Sequence, residues 1–122
     1  MKDTIRICNL QFNVRHGVRP EEKTLHQPFE VDVEIKSDLS KAAASDKLDD
    51  TIDYSHVVSI VADVMNGERC CLLEHLAGKI VERLCVLVDR GEVTVRVRKP
   101  RAPIVVPFDT VEVELIREIS EA

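Results

Sequence analysis

Eight consecutive residues constrain this chain more than any other stretch. Phe29, Val31, Val33 and Ile35 alternate with Glu30, Asp32, Glu34 and Lys36. A period of two sends every apolar side chain to one face of a strand and every charge to the other. That pattern belongs in an antiparallel sheet with one covered and one solvated face, because parallel strands, buried on both sides, read as continuous apolar runs. Residues 4–14 predict a second strand. Ile5 and Ile7 share one parity and Leu10, Phe12 and Val14 the other, so the phase change predicts a bulge near Cys8-Asn9. Val93, Val95 and Val97, then Val111, Val113 and Leu115, predict two closing strands.

Between the strand pairs the period changes to that of a helix. Val57, Val58, Ile60, Val61, Val64 and Met65 form one stripe, with Asp53 or Ser55 as N-cap and Gly67 past the end. Leu73, Leu76, Ala77, Ile80, Leu84, Leu87 and Val88 form another, closed by Asp89-Arg90-Gly91. From Leu39 to Asp50 the pattern weakens to a short helical turn and an acidic loop. The order is ββααββ, which implies an α+β domain: a four-stranded antiparallel sheet with two helices packed on its apolar face. A single domain over residues 1–122 is expected, since a chain of this size buries roughly two-thirds of its unfolded surface. The outer strand faces carry Glu30, Asp32 and Glu34, then Arg96 and Arg98, then Glu112 and Glu114, so the basic third strand is expected beside acidic ones. Two open sheet edges invite association of copies.

Seventeen basic and 22 acidic side chains give a net charge of −5, which argues against bulk nucleic-acid binding and against an anionic membrane surface. No apolar run approaches the roughly 18–20 residues of a membrane span, and Met1-Lys2-Asp3-Thr4-Ile5-Arg6 contains no leader-like apolar region. The expected compartment is the cytoplasm. Four cysteines lack Cys-x-x-Cys spacing, and four histidines lack His-x-His or His-Glu-x-x-His spacing, so neither a metal nor another cofactor is expected.

Four polar residues at element boundaries are candidates for chemistry. Glu22 lies in the long first loop, residues 15–28, and long ordered loops tend to be functional. Tyr54, the only tyrosine, enters the first long helix; Glu74 opens the second; Lys99 ends the third strand. Each also has a plain structural explanation. Glu22 can be a loop charge, Tyr54 a packing residue at a helix cap, Glu74 a first-turn acid facing the helix dipole, and Lys99 a solvated strand end.

Taken together, His16-Gly17-Val18-Arg19-Pro20-Glu21-Glu22, Asp38-Leu39-Ser40-Lys41-Ala42, Asp53-Tyr54, Leu72-Leu73-Glu74-His75-Leu76-Ala77, Lys99-Pro100-Arg101-Ala102-Pro103-Ile104 and Phe108-Asp109 resemble the 7,8-dihydroneopterin aldolase family. The resemblance runs in order over almost the whole chain. It implies the tunnelling fold, whose subunits join through their sheets into homo-oligomers (tetramer or octamer) with sites between neighbours. It also implies a pterin substrate anchored by Glu74 and the Leu73 backbone. Lys99 is then the general acid/base, Tyr54 acts from a neighbouring subunit, and Glu22 holds the side-chain hydroxyls. Neither a metal nor a Schiff base is implied. An epimerase of dihydroneopterin or its triphosphate is the alternative, kept open by Arg15, Arg19 and Arg101; a pterin-binding oligomer without catalysis is a third reading. The chain departs from the family pattern at Asn13-Val14-Arg15, where members often carry Tyr-Gly-Tyr, and at Val105-Val106, where many carry Pro-Gly. Both departures bear on side-chain preference.

Overall fold

The computed structural model describes residues 3–119. Met1 and Lys2, at the start of the segment read for a leader, and the last three residues of the 1–122 span lie outside it. Four strands, β1 (Asp3–Val14), β2 (Gln27–Ser37), β3 (Gly91–Lys99) and β4 (Val111–Ile119), form one antiparallel sheet in the order β1-β2-β3-β4. Helices α1 (Ser40–Ser45), α2 (Tyr54–Met65) and α3 (Leu73–Leu87) lie between β2 and β3, and short 3₁₀ turns occupy Pro20–Lys23 and Leu48–Asp50. The ββααββ order read from the sequence is the framework, and the weak segment after Leu39 supplies the extra one-turn helix. Among the described residues no helix is long and apolar enough to cross a membrane.

The sheet places its side chains as the alternation requires. Phe29, Val31, Val33 and Ile35 of β2 and Val93, Val95 and Val97 of β3 are fully buried. They form one core with Val57, Val61, Val64 and Met65 of α2 and Leu76, Ala77, Ile80, Val81 and Leu84 of α3. On the other face, Arg98 stands opposite Glu30 and Arg96 opposite Asp32 across β2–β3. Arg98 donates to Glu30 at 2.9 Å, to Asp32 at 2.6 Å and to Glu112 at 3.2 Å, and Arg96 donates to Glu114 at 2.6 Å. The basic strand therefore sits between two acidic ones.

The bulge falls where the phase change puts it. Pairing of β1 with β2 slips between Ile7 and Leu10, and Asn9 adopts φ +60°, a left-handed conformation that asparagine tolerates. Its N–H donates to Asp32 Oδ1 at 2.7 Å. Asp53 is the cap of α2, its carboxylate accepting from Ser55 N at 2.9 Å. Gly67 lies past the end of α2 but is not among the glycines with positive φ, which are Gly17 and Gly91.

Strand direction divides the molecule into two ends. Val14 pairs with Gln27, and Lys99 ends β3 beside Val111, so these residues share one end of the sheet. Ser37 and Gly91 lie at the other. The C-terminus of α2 returns to the first end, where Met65 O meets His16 Nε2 at 2.8 Å. Its N-terminus lies at the second, where Asp53 and His56 join Ser37 and residues 87–90 around a concavity of about 490 Å³.

Candidate active site

Lys99 is not a solvated strand end, and Glu22 is not a loop charge. Both are buried, at 8% and 5% exposure, and Lys99 Nζ meets Glu22 Oε2 at 2.5 Å. The same oxygen accepts from Gln27 Nε2 at 2.9 Å, and Oε1 accepts from the Arg19 N–H at 3.2 Å. Lys99 Nζ also stands 5.9 Å from the centre of the Phe29 ring. Burial pushes the Glu22 carboxyl up, but the hydrogen bonds from Lys99, Gln27 and Arg19 outweigh it and hold the group below its ordinary value. A buried carboxylate and ammonium in one contact form a unit able to take up and return protons.

Glycine at position 17 makes room for that carboxylate. Gly17 has φ +151°, and a Cβ there would land on the carboxylate of Glu22. Gly17→Ala adds roughly 1–2 kcal/mol of backbone strain to the collision. The thermal midpoint is expected to fall by roughly 5–10 °C, with loss of activity. An unchanged melting curve with full activity would show that Glu22 does not rest on Gly17.

Leu73 and Glu74 open α3 at the same end. The cap residue Leu72 offers no side-chain acceptor or donor, so the first-turn N–H groups have no capping side chain. Glu74 is exposed and makes no side-chain hydrogen bond or ion pair among the described residues. The loop before α3 is tied to the loop carrying Glu22: Gly17 N–H donates to Cys70 O at 2.9 Å and Arg69 Nη2 to Gly17 O at 2.7 Å. Two residues, Cys71 and Leu72, separate Cys70 from Leu73, at most roughly 10 Å of chain. A free carboxylate at a helix N-terminus can accept two parallel N–H groups from a planar heterocycle.

Tyr54 stands apart. It is the first residue of α2, 65% exposed, and therefore not a packing residue within this chain. Roughly 18 Å of helix separates it from the Met65 end, and between the same two ends β3 runs about 26 Å from Gly91 to Lys99. One chain thus brings Glu22, Lys99, Leu73 and Glu74 to one end and leaves Tyr54 at the other.

The family profile described as FolB, dihydroneopterin aldolase, matches residues 5–116. The chain belongs to the dihydroneopterin aldolase family. The dihydroneopterin aldolase of Staphylococcus epidermidis is 38% identical over 119 residues, covering 97% of this chain and 98% of its own. That of Streptomyces coelicolor is 40% identical over 115 residues, covering 94% and 97%. The structure of E. coli dihydroneopterin aldolase in complex with neopterin superposes with a TM-score of 0.86 at 30% identity, covering 94% of this chain and 98% of that one.

The supports of the polar pair are not legible in the sequence. Gln27 and Phe29 hold Glu22 and Lys99, and His16 is 2% exposed, with both ring nitrogens engaged. His16-Gly17 stood in the recognised motif, which was the available signal; the bonding partners lie too far along the chain for spacing to reveal them. The departures flank the site. Arg15 is exposed, as are Val105, at 102%, and Val106 beyond the Pro100–Pro103 loop.

Proposed function

We propose that this chain cleaves the C1′–C2′ bond of 7,8-dihydroneopterin, releasing 6-hydroxymethyl-7,8-dihydropterin and glycolaldehyde. Family membership supplies the reaction class, the aldolase step of folate biosynthesis. The observation that carries the residue assignment is the buried Lys99–Glu22 pair beside an unengaged Glu74 on an uncapped helix start.

Glu74 accepts the 2-amino and N3 protons of the pterin edge, and the Leu73 backbone adds a further contact. Glu22 accepts from the side-chain hydroxyls. Lys99 is the general acid/base, coupled to Glu22: the 2′-hydroxyl proton is taken up by Lys99 as Lys99 passes its own to the Glu22 carboxylate, the hydroxyl oxygen becomes the carbonyl of glycolaldehyde, and the C1′–C2′ electrons move through C6 onto N5. Charge developing at N5 is favoured by the nearby ammonium. Protonation of C1′ from Tyr54 then restores the C=N and releases product, and the tyrosinate recovers through water the proton held by the Lys99–Glu22 pair. The substrate's own C=N is the electron sink, so the chemistry requires neither a Lewis acid nor an imine. Lys99, engaged by Glu22, is also a poor amine nucleophile.

Tyr54 reaches the reacting carbon from a second copy, because no single substrate spans both ends of one chain. The site is accordingly assigned to a homo-oligomer, tetramer or octamer, in which residues 1–122 act as one domain. The same reading assigns the chain to the cytoplasm. Neopterin bound to the E. coli relative supports the choice of ligand.

Incubation with dihydroneopterin and chromatography of the pterins tests the reading. Hydroxymethyl-dihydropterin with stoichiometric glycolaldehyde is expected, in excess over any epimer. Exhaustive chelation is expected to leave the rate unchanged, and borohydride to leave no adduct on Lys99. A zinc-restored rate, a trapped imine or epimer alone would overturn it.

A further inference from the structure

Four hydrogen bonds join the residue 15–17 segment to residues 65–70, and the His16 ring makes two of them. Cys70 N–H donates to Nδ1 at 3.0 Å, so Nδ1 carries no proton. Nε2 lies 2.8 Å from Met65 O, a pure acceptor, so Nε2 carries it. The ring is a neutral Nε2–H tautomer that accepts from one segment and donates to another, and it packs edge-on against Phe29, centroids 5.6 Å apart. The Gly17 backbone makes the other two bonds, one to Cys70 O and one from Arg69, whose own buried Nε has no partner among the described residues.

These bonds connect two parts of the candidate site. On one side Gly17 abuts the carboxylate of Glu22, which holds Lys99. On the other, the residue 66–72 loop leads directly into Leu73 and Glu74. The groups assigned to proton transfer and the group assigned to pterin anchoring are therefore carried by separate segments, joined by the imidazole and by the two bonds of the Gly17 backbone. Phe29 beneath the ring is the same residue whose face Lys99 approaches.

We infer that His16 is a positioning residue: its Nδ1 and Nε2 bonds fix the distance between the Glu74 anchor and the Lys99–Glu22 pair without either nitrogen touching substrate. The inference rests on the residue roles given under the proposed function. Burial, and the charges of Arg69, Lys79 and Lys99, hold the imidazole below its ordinary pKa and keep it neutral for this role, while the bond to Met65 O works in the other direction.

His16→Phe keeps the ring packing and deletes both bonds. Each half of the site remains, but their mutual placement is released, and misplacement of about 1 Å costs roughly 10²-fold in rate. The expected result is a turnover about 10²-fold lower with neopterin affinity changed less than threefold. The affinity is measured by pterin fluorescence, against which a chain without tryptophan contributes little. His16→Gln, which restores a planar acceptor and donor, is expected to recover part of the turnover. In the Lys99→Ala background, His16→Phe is expected to cost less than threefold further, because alignment no longer matters once the proton-transfer group is gone. Turnover and affinity falling together, or fully additive costs in the double variant, would overturn the inference. If His16→Phe does not fold, the same pair of measurements on His16→Gln decides, with near-wild-type affinity and reduced turnover expected. Failure of the residue roles themselves shows differently: Lys99→Ala alone would then keep wild-type turnover.

Discussion

Lys99→Ala is expected to keep pterin binding and lose turnover by about 10²–10⁴-fold, the usual contribution of a general acid/base. Anchoring is assigned to Glu74, on a different segment, so affinity measured by fluorescence titration should stay within a few-fold. Wild-type turnover, or loss of binding in proportion to activity, would remove Lys99 from its role. A side chain at a strand end suggests that truncation is harmless to folding, and the structure corrects this. Removing Lys99 leaves Glu22, 5% exposed, without its counter-ion. Deleting one partner of a buried pair costs about 3–5 kcal/mol. Lys99→Ala should therefore fold with a lowered denaturation midpoint, and the double variant Lys99→Ala with Glu22→Gln should recover stability without recovering turnover.

The pH dependence of that loss has a definite sign. In the wild type, Glu22 titrates below its ordinary value of 4.5. Its contribution to stability is fully present above that value and is lost as pH falls through the folded-state pKa. In Lys99→Ala the strongest opposing partner is gone and burial favours the protonated acid. The stability gap between wild type and variant is expected to narrow from pH 7 toward pH 4, as measured by denaturant midpoints. A gap that widened on acidification would show that Glu22 is not the group left unpaired.

The fold was legible because its determinants are local. Alternation from Phe29 to Lys36 assigns sides without knowledge of partners, and the parity change at Cys8-Asn9 marks the bulge within one strand. The stripes from Val57 and Leu73 place both long helices, and complementary charges place β3 between β2 and β4. The site was legible only as residue identities. Burial of Lys99 with Glu22 depends on β3 ending at the loop before β2, and that is a matter of register. His16 bonds to residues 49 and 54 positions away, so no spacing rule could separate it from three other scattered histidines. Gln27 reads as a residue of the long first loop and Phe29 as an ordinary strand residue until the structure starts β2 at Gln27 and shows what lies over both.

The second large effect concerns Tyr54, where exposure and position together demand a test between chains. Tyr54→Phe removes only a hydroxyl from an exposed side chain at the start of α2, so folding and neopterin affinity should hardly change, while cleavage falls by about 10²-fold or more. Lys99→Ala is expected to lose turnover for a different reason, at the opposite end of the sheet. If each site takes Lys99 from one subunit and Tyr54 from its neighbour, a mixed oligomer contains sites with neither lesion. Equimolar co-refolding of the two variants should make about one-quarter of sites intact by random assembly. Activity near a quarter of wild type is therefore expected from two nearly inactive parents. If both groups acted within one chain, every site would carry one lesion, and the mixture could do no better than the mean of its parents. The same mixture of Lys99→Ala with Glu22→Gln should remain inactive, because those two residues touch within one chain and no assembly separates them. Recovery with Tyr54→Phe and none with Glu22→Gln would thus place the boundary between subunits across the active site, between the proton-transfer pair and the tyrosine.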